Sequence, residues 1–359
     1  LSGGIDSSLI TALLQNSRSD PIKSFTVSFP DEELFNEAPY AKAIAHHLRT
    51  DHTEVPITST DAQKLIPSLA RIYTEPFADS SQVPTQLLCR EARRSGLKVT
   101  LTGDGGDELF GGYNRHLYAP KLHRQFGHWP YSFRKLLAAL IYKTPNKILG
   151  FKSDGLAQQK KQKLASALKA ASSIEDLHNL LRGVTPLAER ENFHKYELPK
   201  APSMSEQLML EDIVTYLPAD ILVKVDRAAM SVGLETRAPF LDHRVAELAW
   251  RMPLKYKIRR NSRHEISKWV LRELLTNFIP PHLFERPKAG FAMPIGDWLR
   301  GPLKGWANDL LDPNEIKNHG WFETNQVNIL WEQHLSGNFD HMPQLWSILM
   351  AQAWLREWQ

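Results

Sequence analysis

The sequence predicts an α/β protein whose parallel, twisted sheet carries helices on both faces and is followed by a mostly helical region. Between residues 1 and 112, short β-branched runs alternate with helical patterns, a rhythm typical of parallel sheets. From about Tyr113 onward, apolar residues recur almost wholly at helical spacing. Two glycine-rich stretches, Ser2–Ser8 and Gly103–Gly112, each follow a strand or its remnant.

The elements of this core can be placed in chain order. Strands are expected at Ile22–Phe29, His52–Ile57 and Leu97–Gly103, and helices at Asn36–Leu48, Thr60–Tyr73 and Ser81–Ser95. Because ligands of parallel sheets bind beyond the carboxyl ends of the strands, both glycine-rich stretches should meet at one edge. We expect residues 1–112 to form a core that lacks its first strand, of which Leu1 would be the last residue. Residues 113–359 would form the helical region packed on it.

Composition describes an ordinary globular chain of 359 residues, with 42% hydrophobic and 23% charged residues. It contains no apolar run long enough for a membrane span and begins with no signal-peptide pattern. The single cysteine, Cys89, excludes an internal disulfide and fits a reducing compartment, so we expect a cytoplasmic protein. Cys89 lies in an amphipathic helical pattern and is interpreted as a packing residue.

Positive charge is concentrated in one part of the chain. The net charge is +4, yet residues 113–170 contain twelve Lys and Arg against one acid, Asp154. Such a stretch could follow a phosphate backbone, but no nucleic-acid-binding motif accompanies it. Two alternatives for this basic stretch are a solvated helical lobe and a face that docks on an acidic partner domain. Both are favoured over a nucleic-acid partner.

The chain opens with "LSGGIDSS", a pattern typical of a phosphate-binding turn. Gly3 and Gly4 allow close approach of backbone amides to an anion, and a helix begins directly after them. Hydroxyl donors are supplied by Ser2, Ser7 and Ser8. A carboxylate in an anion site, Asp6, predicts a bridging Mg²⁺. The alternative is a glycine turn that caps an ordinary helix.

The second stretch, "LTGDGGDELFGGYNRH", places three acids among five glycines. Gly103, with Gly105 and Gly106, would let the backbone approach a nucleotide, while Asp104 and Asp107 are placed for a metal or a substrate amine. The alternative is a polar turn in which Asp107 caps a short helix.

Four motifs together resemble the synthetase domain of the glutamine-dependent asparagine synthetases. After the two glycine-rich stretches come "VKVDRAAMSVGLETRAPFLDHRVAELAW" (223–250) and "FERPKAGFAMP" (284–294), which are similar to that family's third signature and its lysine-bearing ATP loop. The resemblance covers residues 1 to about 300. It implies an ATP pyrophosphatase (PP-loop, HUP-like) core.

The resemblance also implies a chemistry. ATP would adenylate the side-chain carboxylate of aspartate, releasing pyrophosphate, and ammonia would displace AMP to give asparagine. Ser2 to Ser8 would hold the pyrophosphate, with Mg²⁺ held by Asp6 and Asp107. Asp104, Asp107 and Lys288 are the catalytic candidates. The adenosine would be cradled by backbone groups of Leu1, Val27, Thr102 and Gly103.

Several points stay open at this level. Asp104 stands where the family often carries glutamate, so another carboxylate acceptor, converted to an amide or lactam by the same chemistry, is the alternative. Glu235, Arg237 and Asp242 could line the acceptor site or form a structural ion-pair cluster. The expected partners are small molecules, a homodimer is possible, and the N-terminal glutaminase domain that supplies ammonia from glutamine is expected to be missing from this chain.

Overall fold

The structure, a computed structural model, describes residues 1–30, 36–144, 156–182, 198–261, 264–286, 293–337 and 339–359. Its α-helices are α1 (Ile5–Asn16), α2 (Ala38–Leu48), α3 (Ser59–Leu65), α4 (Leu69–Ile72), α5 (Gln82–Arg94), α6 (Gly106–Phe110), α7 (Asn114–Phe126), α8 (Tyr131–Lys143), α9 (Leu156–Ala170), α10 (Ile174–Arg182), α11 (Met204–Val214), α12 (Val223–Met230), α13 (His243–Arg251), α14 (Leu254–Lys257), α15 (Trp269–Thr276), α16 (Pro281–Phe284), α17 (Ile295–Arg300), α18 (Lys304–Leu310), α19 (Pro313–His319), α20 (Thr324–Leu335) and α21 (Met342–Trp358). In the described residues, no helix is both long and apolar enough to span a membrane.

The strands are short and form pairs. They are β1 (Lys23–Ser28), β2 (Asp51–Pro56), β3 (Val99–Leu101), β4 (Glu235–Arg237), β5 (Arg259–Arg260) and β6 (Glu265–Ile266). β1 pairs in parallel with β2, and β3 pairs in parallel with β4, whereas β5 and β6 form an antiparallel pair. The three strands expected from the sequence are present, but in the described residues they belong to two separate parallel pairs rather than one sheet.

The described residues form two compact units. The first contains residues 1–106, 215–252 and 268–359, and the second contains residues 107–214 and 253–267. This grouping differs from a division at residue 112 because the carboxyl-terminal helices share a core with the first strands. That core joins Val27 and Phe29 of the β1 region to Leu69, Trp298 and Trp346.

A smaller cluster in the first unit lies under β1 and α5. It buries Phe25, Cys89, Ala92 and Leu234 together. Burial raises the pKa of the Cys89 thiol to about 11, so the thiol stays protonated at neutral pH. This burial agrees with the interpretation of Cys89 as a packing residue.

The second unit is helical and is organised around one buried acid. Asp212 of α11 is fully buried and accepts hydrogen bonds from Arg115 Nε and His116 Nε2 of α7, each at 2.7 Å. His178 Nε2 of α10 lies 3.0 Å from the same carboxylate. Burial alone would raise the pKa of Asp212, but hydrogen bonds from His116, His178 and Arg115 outweigh it and hold the pKa well below its usual range. Asp212 therefore ties three helices together as an ionised carboxylate.

Candidate active site

The first glycine-rich turn is fixed by its own hydroxyl groups. Gly3 has φ +73°, a left-handed conformation that side chains rarely adopt. The Ser2 amide donates to Ser7 Oγ at 3.1 Å, and the Gly4 amide donates to Ser2 Oγ at 3.2 Å. The two hydroxyls also hydrogen-bond each other at 3.0 Å. The turn is thus pre-shaped before any ligand arrives.

The turn leads directly into α1, whose first residues offer an anion-binding end. Gly4 is the N-cap and contributes no side-chain cap to the helix. The first amides of any α-helix have no carbonyl partner within the helix, and they lie at the positive end of its dipole. Asp6 lies in this first turn, and Ser8 is fully buried behind it.

The second glycine-rich stretch packs against the first at Asp6. A Cβ atom at Gly106 would lie 2.6 Å from Asp6 Oδ1, and one at Gly103 would lie 3.0 Å from Asp6 Cβ. Only glycine allows the backbone to come this close without a shift of the carboxylate. The structure therefore brings the two stretches together through Asp6, Gly103 and Gly106.

Cations from α15 approach the same carboxylate. The Lys268 ammonium, at the start of α15, contacts Asp6 Oδ2, and the Lys268 side chain is only 7% exposed. Lys268 has φ +53°, an uncommon backbone conformation for a residue with a side chain. Arg272 lies one turn further along α15. Burial lowers the pKa of its guanidinium, whereas the negative charges of Glu285 and Asp6 favour a higher pKa. Sequence reasoning missed both cations, since neither lies in a recognisable motif.

Arg286 approaches the turn from another direction. It donates to Ser2 O at 3.2 Å and to Glu37 Oε1 at 2.8 Å, and its guanidinium lies 4.4 Å from the centre of the Tyr40 ring. A Cβ atom added at Gly3 would lie 3.1 Å from the Cβ atom of Tyr40. Arg286 belongs to the "FERPK" motif and could have been found there. Lys288 of the same motif lies outside the described residues.

A first cavity of about 730 Å³ opens at the carboxyl ends of β1 and β3. At this end it is lined by Ser2, Ser7, Thr102, Gly103 and Asp104. The other residues expected to cradle adenosine, Leu1 and Val27, line the same cavity. Its position beyond the strand ends is the usual one for a ligand of a parallel sheet.

A second cavity, of about 780 Å³, adjoins the first at Asp104. Asp104 lines both cavities, as do Thr102 and Thr236. The other charged residues of the second cavity come from the third motif: Asp226, Arg227, Arg237 and Asp242. One carboxylate thus borders two spaces, each large enough for a small molecule.

The expected acceptor residues divide into two groups in the structure. Arg237 lines the second cavity, donates to Glu235 Oε1 at 2.7 Å and is 66% exposed, whereas Glu235 is not among the lining residues. Asp242 has a structural role. Its side chain caps α13 and accepts two hydrogen bonds from the Arg244 guanidinium, at 2.9 and 2.8 Å. Hydrogen bonds from Arg244 hold the pKa of Asp242 well below its usual range.

The remaining acids of the second stretch lie in the second unit. Asp107 is its first residue, and the Asp107 carbonyl accepts the Gly112 amide at 2.8 Å. Glu108 is buried and accepts a hydrogen bond from the Tyr113 hydroxyl at 2.7 Å. Because Asp6 belongs to the first unit, the binding of one metal ion by both Asp6 and Asp107 stays a prediction.

Comparison with known families agrees with the four motifs. The family model described as asparagine synthase matches residues 1–356. The chain belongs to the asparagine synthase family. Its nearly full-length match also covers the residues between the motifs, to which the sequence reasoning assigned no role.

Individual relatives match this chain over part of their own length. Asparagine synthetase (glutamine-hydrolyzing) 1 of Bacillus subtilis is 28% identical over 99% of this chain and 55% of its own. Asparagine synthetase (glutamine-hydrolyzing) 3 of the same organism is 25% identical over 92% of this chain and 50% of its own. The amidase chry2 of Gibberella zeae is 25% identical over 90% of this chain and 53% of its own. The chain thus spans about half the length of the curated relatives it matches.

Proposed function

We propose that this chain is an ATP-dependent, amide-forming ligase, which adenylates the side-chain carboxylate of aspartate and transfers ammonia to it. The observation that carries the proposal is the meeting of both glycine-rich stretches at Asp6, with Asp104 between two cavities. Membership of the asparagine synthase family supports amide synthesis from ATP. We also propose the ATP pyrophosphatase architecture for the first unit.

In this proposal the first cavity holds ATP. The pyrophosphate would lie against the turn Ser2–Gly4 and the first amides of α1, where the helix dipole favours negative charge. The adenosine would contact backbone groups of Leu1, Val27 and Thr102, which line the same cavity. Lys268 and Arg286 add positive charge beside the turn.

The residues around Asp6 fit a divalent cation. A carboxylate beside serine hydroxyls offers the oxygen ligands that Mg²⁺ prefers. Asp6 already accepts a cation, the Lys268 ammonium, and Gly106 leaves no side chain in the way. Asp6 would hold the ion, with Asp107 as the second proposed ligand. When bound, Mg²⁺ would neutralise charge that develops on the departing pyrophosphate.

The second cavity would hold the acceptor. An oxygen of its carboxylate attacks the α-phosphorus of ATP, the bond to the β-phosphate oxygen breaks, and pyrophosphate leaves. Ammonia then attacks the activated acyl carbon, AMP departs, and the nitrogen loses a proton. Asp104 lines both cavities and would take that proton. Arg237 would form an ion pair with the other carboxylate of aspartate, the one that is not adenylated.

A different acceptor is the second candidate. A relative named as an amidase matches 90% of this chain, so the family fold is not restricted to proteins named asparagine synthetases. Asp104, which lines both cavities, is one methylene shorter than the glutamate that the family often carries at this place, and this difference is compatible with another acceptor. Either acceptor would be activated through the same acyl-adenylate.

The test is a product assay with ATP, Mg²⁺, ammonium and aspartate. We expect AMP, pyrophosphate and asparagine in equal amounts. AMP formation that depends on a different carboxylate would support the second candidate, and ADP in place of AMP would refute the adenylation chemistry. With glutamine in place of ammonium, we expect no glutamate release by this chain, because Cys89, the single cysteine of the sequence, is a buried thiol that stays protonated at neutral pH.

A further inference from the structure

One side of α8, a helix of the second unit, carries large apolar side chains that are exposed. Phe133, Leu136 and Leu140 are 62%, 58% and 55% exposed. Their spacing of i, i+3 and i+7 places them on one side of the helix, where they form a continuous stripe, here called the α8 stripe. Single exposed apolar residues are common on protein surfaces, but a contiguous group indicates an interaction surface.

The other side of α8 is packed against α9. Ala138 lies in a buried cluster with Ala165 and Leu168 of α9, and Leu137 and Ile141 of α8 pack against this cluster. These apolar contacts determine which side of α8 faces the protein. The α8 stripe lies on the side that remains.

Arg134 adds polar contacts to this packing. It is buried, and its guanidinium donates to Leu168 O at 3.3 Å and to Lys169 O at 2.7 Å, in the last turn of α9. Its Nε donates to Trp129 O at 3.1 Å, just before α8 begins. Carbonyl groups at the end of a helix have no partner within that helix, so Arg134 satisfies them. Because these bonds and the apolar cluster fix the rotation of α8, the outward position of the stripe is a built feature of the fold.

Positive charge accompanies the stripe. Lys135 and Lys143 are exposed on α8, and Lys121 and Arg124 are exposed on α7. Residues 113–170 contain twelve Lys and Arg against one acid, and α8 itself contains no acid. An apolar stripe with lysines beside it is typical of helices that lie in the plane of an anionic membrane surface.

We propose that the α8 stripe is a docking surface for an anionic lipid membrane. α8 would lie along the surface, with Phe133, Leu136 and Leu140 inserted between the lipid headgroups. Lys135 and Lys143 would pair with lipid phosphates, since long lysine side chains can lie along apolar surface and keep the ammonium in the polar layer. This interaction goes beyond the proposed ligase activity and does not depend on it.

Other occupants fit this surface less well. A nucleic-acid backbone would pair with the lysines but would leave the three apolar side chains in water. A second copy of α8 would bring Lys135 and Lys143 close to the same lysines of the first copy, and like charges at an interface repel. The cores of protein interfaces are depleted of lysine, whereas a lipid surface accepts apolar and basic side chains at adjacent depths.

The experiment measures sedimentation of the whole chain with lipid vesicles. One set of vesicles contains phosphatidylglycerol mixed with phosphatidylcholine, and the other contains phosphatidylcholine alone. We expect the chain to bind the anionic set at least about tenfold more tightly. Binding should weaken as the salt concentration rises, because salt screens the attraction between lysines and lipid phosphates.

An apolar variant tests the stripe itself. It combines Phe133→Gln, Leu136→Gln and Leu140→Gln, and its affinity for anionic vesicles should fall by about tenfold or more because apolar burial is lost. Glutamine is a good helix former and the three positions are exposed, so circular dichroism should show an unchanged helix content. Leu248→Gln, which replaces a similarly exposed leucine of α13, is the matched control and should bind as the wild type does.

A charge variant tests the lysines separately. Lys135→Gln combined with Lys143→Gln should weaken binding to anionic vesicles by about tenfold or more, at about fivefold for each lysine near the surface. Lys304→Gln, at an exposed position outside the second unit, should have no effect.

Three results would overturn the proposal. Absence of binding to anionic vesicles would do so in favour of a protein partner. Equal binding by the apolar variant and the wild type would show that the stripe does not touch the lipid. A dimer of the wild-type chain that the apolar variant converts to a monomer would show that a second copy is the occupant.

Discussion

The ammonium of Lys268 contacts the carboxylate of Asp6, although the two residues are 262 positions apart in the sequence. Their side chains are 7% and 16% exposed, so the pair is largely removed from water. Removing one member of a buried pair leaves the other charge poorly solvated, at a cost of about 3–5 kcal/mol. We expect Lys268→Met to lower the free energy of unfolding by this order, measured by urea denaturation.

A double variant tests whether the loss of stability comes from the interaction between the two side chains. Asp6→Asn combined with Lys268→Met removes both charges, and its stability should lie closer to wild type than that of Lys268→Met alone. Lys304→Met, at an exposed position, is the control and should change stability by less than about 0.5 kcal/mol. Additive losses in the double variant would show that the two side chains do not interact.

Gly106 should be essential for the shape of the nucleotide site. A Cβ there would lie 2.6 Å from Asp6 Oδ1, so Gly106→Ala must displace the carboxylate. We expect ATP-dependent AMP formation to fall by about tenfold or more, the scale of a misplaced catalytic group. Gly305→Ala is the matched control, because no heavy atom lies within 4 Å of its added Cβ. Similar activity in both variants would contradict the proposed role of Asp6.

The sequence predicted local features of the site and missed most distant ones. The turn at Gly3 and the helix after it depend on neighbouring residues, so the motif was sufficient to place them. Lys268 carries no local signal of its contact with Asp6, since its position depends on how α15 packs against α1. Arg286 is part of the "FERPK" motif, but the motif alone does not indicate that its guanidinium reaches Ser2 O and Glu37.

The same limit applies to the sheet. The strands around Phe25 and Val99 could be predicted because β-branched runs bounded by turn residues are local patterns. Which strands pair is a long-range property, and the separation into two parallel pairs could not be read from those runs. The grouping of residues 1–106 with residues 268–359 is long-range in the same way, because Trp346 and Val27 belong to one buried core.

Arg237 should determine the affinity for the acceptor. It lines the second cavity and pairs only with the exposed Glu235 among the contacts described. We expect Arg237→Ala to raise the KM for the acceptor by about tenfold with little change in kcat, as for an interaction made equally in ground and transition states. Arg251→Ala removes a similarly exposed ion pair outside this cavity and should leave KM unchanged. An unchanged KM in Arg237→Ala would place the acceptor elsewhere.

Lys288 remains a prediction from its motif, because it lies outside the described residues. If it neutralises charge on the departing pyrophosphate, Lys288→Ala should lower the rate of adenylation by about 10²-fold. Pyrophosphate release in a single turnover measures this step directly. Lys304→Ala is a suitable control, and a change below about twofold for Lys288→Ala would exclude the role.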